Sequence, residues 1–96
     1  MLAEISVVPS DHWDHLSPDV AETVRLIKSS GLHYQLGAMG TTVEGDPDEV
    51  FELIKRLHMN MRRHSHRIAT SINIDDDIRR PTGRLQGKIK AVEEKL

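Results

Sequence analysis

The sequence has no cysteine and very few aromatic residues, with one Phe, one Tyr and one Trp in 96 residues. The absence of cysteine excludes disulfide frameworks, thiolate nucleophiles and cysteine-based zinc sites. Three aromatic rings are too few for a platform that stacks nucleic-acid bases. The chain carries 13 basic and 15 acidic residues, for a formal charge of −2, which gives no overall attraction for phosphate backbones. We therefore expect no nucleic-acid partner.

Long apolar runs are also absent. Residues 1–6 show neither the basic stretch nor the apolar segment of a signal peptide, so we expect a cytoplasmic protein without a membrane span. Apolar residues make up 38% and charged residues 29%, as in ordinary folded domains. A chain of this length has room for one core, which predicts a single domain over residues 1–96 that gains stability from self-association.

Hydrophobic periodicity predicts four strands and three helices. Alternation of side chains predicts strands over residues 2–9, 33–36, 41–44 and 67–75. Ser17-Pro18 and Asp46-Pro47 are typical helix starts, which predict helices over about 18–30 and from Asp46 to near Arg63. The second helix should pack on the sheet through Val50, Phe51, Ile54, Leu57, His58 and Met61. A short third helix should contain Leu85, Ile89, Val92 and Leu96.

The order of these elements is βαββαβ with an extra C-terminal helix. It predicts a ferredoxin-like α+β sandwich, in which two helices cover one face of a four-stranded antiparallel sheet and the other face is open. The third helix could dock on the sheet or on a neighbouring subunit.

Polar side chains should converge on the open face. If Ala3, Ile5 and Val7 face the helices, the opposite side carries Glu4 and Ser6, together with Ser71 and Asn73 of the last strand. We expect the third strand to add Thr42 and Glu44, although a bulge at residues 37–40 would instead present Thr41 and Val43. Carboxylates, hydroxyls and an amide suit a cationic ring ligand, and a merely solvated sheet face is the alternative.

Three segments carry a resemblance to a known family: Ala3 to Pro9, Leu36 to Gly45 (Leu-Gly-Ala-Met-Gly-Thr-Thr-Val-Glu-Gly) and Thr70 to Asp76. Together they resemble the small thiamine-binding proteins over nearly the whole chain. The family's Gly- and Thr-rich stretch after the first strand is replaced here by residues 10–15. The resemblance implies a ferredoxin-like fold, dimers that pair into tetramers, and binding of thiamine or its hydroxymethylpyrimidine part. It implies a site lined by Glu4, Ser6, Met39, Thr41, Thr42, Glu44, Ser71 and Asn73.

We therefore predict a non-catalytic small-molecule binder that forms a homo-oligomer, either a dimer or a tetramer. We expect no catalytic residues, no metal site and no cofactor apart from thiamine as the bound ligand. One alternative is an oligomeric regulatory or structural module with a different small ligand. Another is an enzyme that uses Glu4 or Glu44 as a general base.

Three further clusters allow two interpretations each. Trp13 could stack on a ligand or anchor its loop, and His12 and His15 could hold a metal or be simply solvated. His58, His64 and His66, among several arginines, could bind an anion or favour the end of the second helix. We interpret the acidic run 75–77 as a solvated strand end rather than a cation site.

Overall fold

A computed structural model describes residues 1–11 and 16–96, with only the backbone described for Leu16 and Ser17. Within these residues, no helix has the length and apolar character needed to cross a bilayer. The elements are β1 (Leu2–Pro9), α1 (Leu16–Ser29), β2 (His33–Leu36), β3 (Thr41–Glu44), α2 (Pro47–Met61), β4 (Ile68–Asp75) and α3 (Arg84–Glu93).

The four strands form one antiparallel sheet in the order β2-β3-β1-β4, which confirms the predicted ferredoxin-like fold. Glu4 lies opposite Thr42 on β3 and opposite Asn73 on β4, while Leu2 lies opposite Glu44. Residues paired across an antiparallel ladder share a face of the sheet. The favoured register is therefore confirmed, and the alternative with a bulge is wrong.

The two glycines of the β2–β3 hairpin allow a close approach of backbone segments. The N–H of Gly37 donates to the carbonyl oxygen of Gly40 over 2.9 Å, which closes the turn. A Cβ atom on Gly37 would lie 2.9 Å from that same oxygen, and one on Gly40 would lie 3.1 Å from the carbonyl oxygen of Ile5. These glycines keep the turn tight, and they leave the strand register unshifted.

The core lies between the sheet and helices α1 and α2. Strand residues Ala3, Ile5, Val7 and Val43 pack there against Ile27 of α1 and against the buried face of α2. That face consists of Val50, Leu53, Ile54, Leu57 and Met61. The prediction for Phe51 is wrong, because 52% of the residue is exposed. With 3.6 residues per turn, Phe51 lies about 100° around the helix from Val50, at the edge of the apolar stripe, whereas Leu53 lies within it.

The helix ends partly match the predicted signals. Gly31 ends α1 with a φ of 79°, the left-handed conformation that a terminating glycine adopts. The predicted start at Pro18 is wrong by two residues, since α1 begins at Leu16 and Ser17 lies inside its first turn. Asp46 does stand at the N-cap of α2, before Pro47, but its side chain accepts no capping hydrogen bond.

Helix α3 docks on the sheet, at the end where Leu2, Glu44 and Asp75 meet. Leu85 is buried there, whereas Val92 and Leu96, further along the chain, are exposed. The face predicted to be open is therefore covered at one end, because α3 folds back over it after the loop that follows β4.

Candidate functional site

A groove of about 420 Å³ lies between the polar face of the sheet and α3, and is called the sheet groove below. Its volume is in the range of small-molecule sites, roughly 300–1,000 Å³. The floor comes from the sheet and the wall from α3. The residues that line it include Leu2, Glu4, Gln35, Thr42, Asn73, Asp75, Leu85, Lys88 and Ile89.

Glu4 lies at the centre of the floor because β1 is a central strand of the sheet, with Thr42 and Asn73 on either side. The Nδ2 atom of Asn73 lies 3.5 Å from Oε1 of Glu4, at the limit of a hydrogen bond. In the described part of the chain, no lysine or arginine forms an ion pair with Glu4. Its exposed carboxylate is therefore available to a cationic group in the groove.

Glu44 has a structural contact. Its side chain is buried, with 8% of the residue exposed. The backbone N–H of Arg84 donates to its Oε2 atom over 2.8 Å, so Glu44 satisfies one of the unpaired N–H groups at the start of α3. Gly83 stands at the N-cap of that helix with a φ of 73°, and it has no side chain that could cap the helix. Glu44 thus holds the N-terminal end of α3, the helix that forms the wall of the sheet groove.

Asp75 anchors the same helix by its side chain. The guanidinium of Arg84 donates to both carboxylate oxygens, at 3.2 Å and 3.0 Å, and Nζ of Lys88 lies 2.6 Å from Oδ2. The hydrogen bonds from Arg84, and to a smaller extent the hydrogen bond from Lys88, hold the pKa of the Asp75 carboxyl well below its usual range. The interpretation of residues 75–77 as a merely solvated run is wrong at Asp75.

Asp77 also has partners. Its Oδ1 atom accepts hydrogen bonds from the backbone N–H and from Nε of Arg79, and these bonds lower the pKa of its carboxyl. Asp75 and Asp77 thus belong to separate ion pairs.

The remaining predicted site residues lie elsewhere. Ser6 and Ser71 pair with each other on the same face as Glu4, further along the strands. Thr41 is buried and faces the helices, as its pairing with Ile5 requires. Met39 is exposed in the hairpin turn, and it lines with Ser6 and Thr41 a second cavity of about 310 Å³ beside α1. That cavity forms because β3 begins opposite Ile5, so β1 beyond that residue has no β3 neighbour.

Two features of the sheet groove were not predicted. Gln35 lies opposite Thr42 and adds an amide to the floor, and the hairpin register could have indicated it. The wall from α3 had no clear local signal, because its position depends on contacts with Glu44, 40 residues before Arg84, and with Asp75. The predictions for His12, Trp13 and His15 concern residues outside the described part.

Comparison with known families identifies the chain. The model of the family described as thiamine-binding protein matches residues 3–93. The chain belongs to this family. A UPF0045 protein of Methanothermobacter thermautotrophicus is 36% identical over 98 residues, which cover 98% of this chain and 97% of that protein. A second UPF0045 protein, from Methanocaldococcus jannaschii, is 29% identical, with coverages of 98% and 93%.

Solved structures of related proteins have the same fold. A crystal structure of a hypothetical protein from Methanocaldococcus jannaschii has a TM-score of 0.85 and 30% identity, and the match covers 97% of this chain and 95% of that one. A Thermotoga maritima protein, with a proposed role in thiamine biosynthesis or salvage, has a TM-score of 0.79 and 26% identity, with coverages of 88% and 91%. The predicted membership of the thiamine-binding protein family is confirmed.

Proposed function

We propose that this protein binds thiamine, or its hydroxymethylpyrimidine part, in the sheet groove without transforming it. The observation that carries the proposal is the exposed carboxylate of Glu4 at the centre of the groove floor, which has no lysine or arginine partner among the described residues. The family, and the thiamine-related role proposed for the Thermotoga maritima protein, indicate the ligand class.

The groove offers the groups that such a ligand needs. Thiamine combines a thiazolium cation with an aminopyrimidine ring that has both hydrogen-bond donors and acceptors. Glu4 would accept a charge-assisted hydrogen bond or offset the cation, while Asn73, Gln35 and Thr42 supply amide and hydroxyl groups. Leu2 and Ile89 contribute apolar surface for the rings.

The other carboxylates near the groove have short contacts with Arg84 or Lys88, whereas Glu4 has only the long contact with Asn73. Asp75 is paired with Arg84 and Lys88, and Glu44 accepts the N–H of Arg84. A cation near either of them would compete with an existing contact. We therefore assign the charge recognition to Glu4 and the support of the groove wall to Glu44 and Asp75.

We further propose that the protein acts as a homo-oligomer. β4 is an edge strand, and Ile72 and Ile74, on its helix side, stay 39% and 44% exposed. Half-covered apolar residues beside an unpaired strand edge favour association with another copy. A second subunit on this edge would bury them.

Isothermal titration of the ligand-free protein with thiamine, hydroxymethylpyrimidine and thiamine pyrophosphate tests the proposal. We expect saturable binding of at least one of them, and full recovery of unchanged ligand by chromatography after long incubation. Conversion of the ligand would contradict the non-catalytic role, and the absence of binding by all three would contradict the ligand class.

A further inference from the structure

Charge is distributed unevenly along this chain. Residues 53–74 contain five of the 13 lysines and arginines but none of the 15 acidic residues. The segment runs through the second half of α2, the connection to β4 and most of β4. Residues 78–92 form a second basic segment, but most of its charges are paired: Arg79 and Arg80 with Asp77, and Arg84 and Lys88 with Asp75.

Two of the five basic residues in segment 53–74, Arg62 and Arg63, line a concave surface of about 680 Å³ at the end of α2, which is called the basic groove below. Its lining consists of His58, Arg62, Arg63, His64, Ser65, His66 and Ile68. A neighbouring groove shares Arg62 and Arg63 and adds Arg56. The two adjacent arginines therefore stand on the ridge between two concave surfaces.

The carboxylates beside the basic groove contact its histidines and leave its arginines without an ion pair. Nε2 of His64 lies 3.0 Å from Oε2 of Glu22, and Nδ1 of His66 lies 3.0 Å from Oδ2 of Asp11. Each of these carboxylates thus has a histidine, and not an arginine, as its neighbour in the groove. For the arginines the situation differs, because Arg62 has only a long contact of 3.9 Å with the sulfur of Met59. Arg63 forms no ion pair with any carboxylate of the described residues.

Two free guanidinium groups in a concave setting suit a phosphoryl group. A guanidinium presents parallel N–H donors that match two phosphate oxygens, and two of them can neutralise a dianion. None of the described lining residues is Phe, Tyr or Trp, so the groove has no ring on which a nucleobase would stack. The carbonyl end of α2 disfavours anions, which makes binding depend on the arginines.

We propose that the basic groove binds a small phosphoryl anion: inorganic phosphate, pyrophosphate or the phosphate group of a simple ester. The groove lies at the Ile68 end of β4, whereas the sheet groove lies at the Asp75 end. Seven residues of extended strand, at about 3.3 Å each, separate the two ends. The basic groove is therefore a second site, and it does not depend on the proposed function.

The test is isothermal titration of the whole protein with phosphate, pyrophosphate and glycerol phosphate at constant ionic strength, with sodium chloride as the blank. The double variant R62Q/R63Q removes the two free guanidinium groups. The matched control R79Q/R80Q removes two adjacent exposed arginines that pair with Asp77. We expect saturable binding that R62Q/R63Q weakens by about tenfold or more and R79Q/R80Q by less than about twofold.

Two results would overturn the proposal: no saturable binding of any phosphoryl anion by the wild type, or an equal loss in both double variants, which would reflect net charge alone. Thermal unfolding confirms that both variants are folded. Thiamine titration of R62Q/R63Q keeps the two proposals apart, because its affinity should equal that of the wild type. The affinities of the three phosphoryl probes show whether the site prefers free phosphate, pyrophosphate or an ester.

Discussion

Glu4 and Glu44 face the same side of the sheet, yet their neighbours give them different roles. Glu44 is buried and accepts the N–H of Arg84, whereas Glu4 is exposed and has only a long contact with Asn73. A buried carboxylate with a short hydrogen bond supports structure, whereas an exposed one with only a long hydrogen bond, at the floor of a groove, can bind a ligand. The proposed binding site rests on this difference between Glu4 and Glu44.

The tight hairpin gives a prediction about stability. We expect Gly37→Ala to lower the free energy of unfolding by about 1–3 kcal/mol, because its Cβ atom would lie only 2.9 Å from a backbone oxygen. Gly87→Ala is the matched control, since a Cβ atom there has no neighbour within 4 Å and alanine favours a helix over glycine by about 0.5–1 kcal/mol. Urea unfolding measures the stability of both variants. If Gly37→Ala were as stable as the wild type, the turn would tolerate a side chain and the prediction would be wrong.

Individual residues of the site could be predicted to different degrees. Alternation along β1 and β4 was enough to place Glu4 and Asn73 on one face, because the two-residue period is a local property of strands. Thr41 lies on the opposite face, because it pairs with Ile5, and its role in ligand binding stays a prediction from the resemblance. The capping role of Glu44 could not be predicted, because it requires α3, whose first residue lies 40 positions away.

Among the elements, α3 has the least extensive anchoring in the core. Leu85 is its only residue that is buried, and the rest of its attachment is polar: the Glu44 cap and the cluster of Asp75, Arg84 and Lys88. Because α3 forms the wall of the sheet groove, these polar contacts should decide how well the groove is formed.

The anchoring of α3 gives a second prediction. Asp75→Asn should lower the thermal midpoint and speed up amide exchange in α3, because it removes the charge that Arg84 and Lys88 share. Asp76→Asn, next to it in the chain, is the control and should behave as the wild type. Hydrogen exchange followed by mass spectrometry measures the effect, and equal exchange in the two variants would contradict the anchoring role of Asp75.

The same contact predicts a pH dependence. The pKa of Asp75 is lower in the folded protein than in the unfolded chain, where a carboxyl group of this type has a pKa of about 3.9. Its contribution to stability is therefore complete well above that value and is lost as the pH falls towards the folded pKa. Protection of α3 in the wild type should decrease below about pH 4, and Asp75→Asn should show a smaller decrease.

On the scale of the whole molecule, the sheet has one edge that the helices cover incompletely. Ile72 and Ile74 remain partly exposed on β4, and Phe51 of α2 is half exposed. α2 and β4 run antiparallel, because only residues 62–67 connect them and His58 of α2 contacts Thr70 of β4. Phe51 therefore lies towards the same end of β4 as Ile74. These residues form an apolar margin beside the strand edge.

This margin gives a prediction about assembly. Ile74→Lys should convert an oligomer to smaller species, because a charge would enter the proposed subunit contact. Met59→Lys is the control, since Met59 is similarly exposed at 47% but lies with Leu26 on the α1 side of α2. Size-exclusion chromatography with light scattering gives the masses. A wild type that is already monomeric, or an unchanged mass for Ile74→Lys, would contradict the proposal.

The overall topology was predictable, whereas the closure of the groove was not. Strand and helix order follows from periodicity and from the turn residues, and the split βαβ pattern then limits the possible arrangements. The docking of α3 depends on two hydrogen-bonded carboxylates and one buried leucine, and amphipathic spacing does not say which surface a helix will cover.

The central claim is that Glu4 binds the positive or hydrogen-bonding part of a thiamine-like ligand in the sheet groove. Titration of wild type, Glu4→Gln and Glu52→Gln with thiamine tests it most directly, since Glu52 is an exposed carboxylate on the helix side of the sheet. The account predicts that Glu4→Gln weakens binding by about 1.5–3 kcal/mol and that Glu52→Gln has no effect. Equal affinity of Glu4→Gln and the wild type would contradict it.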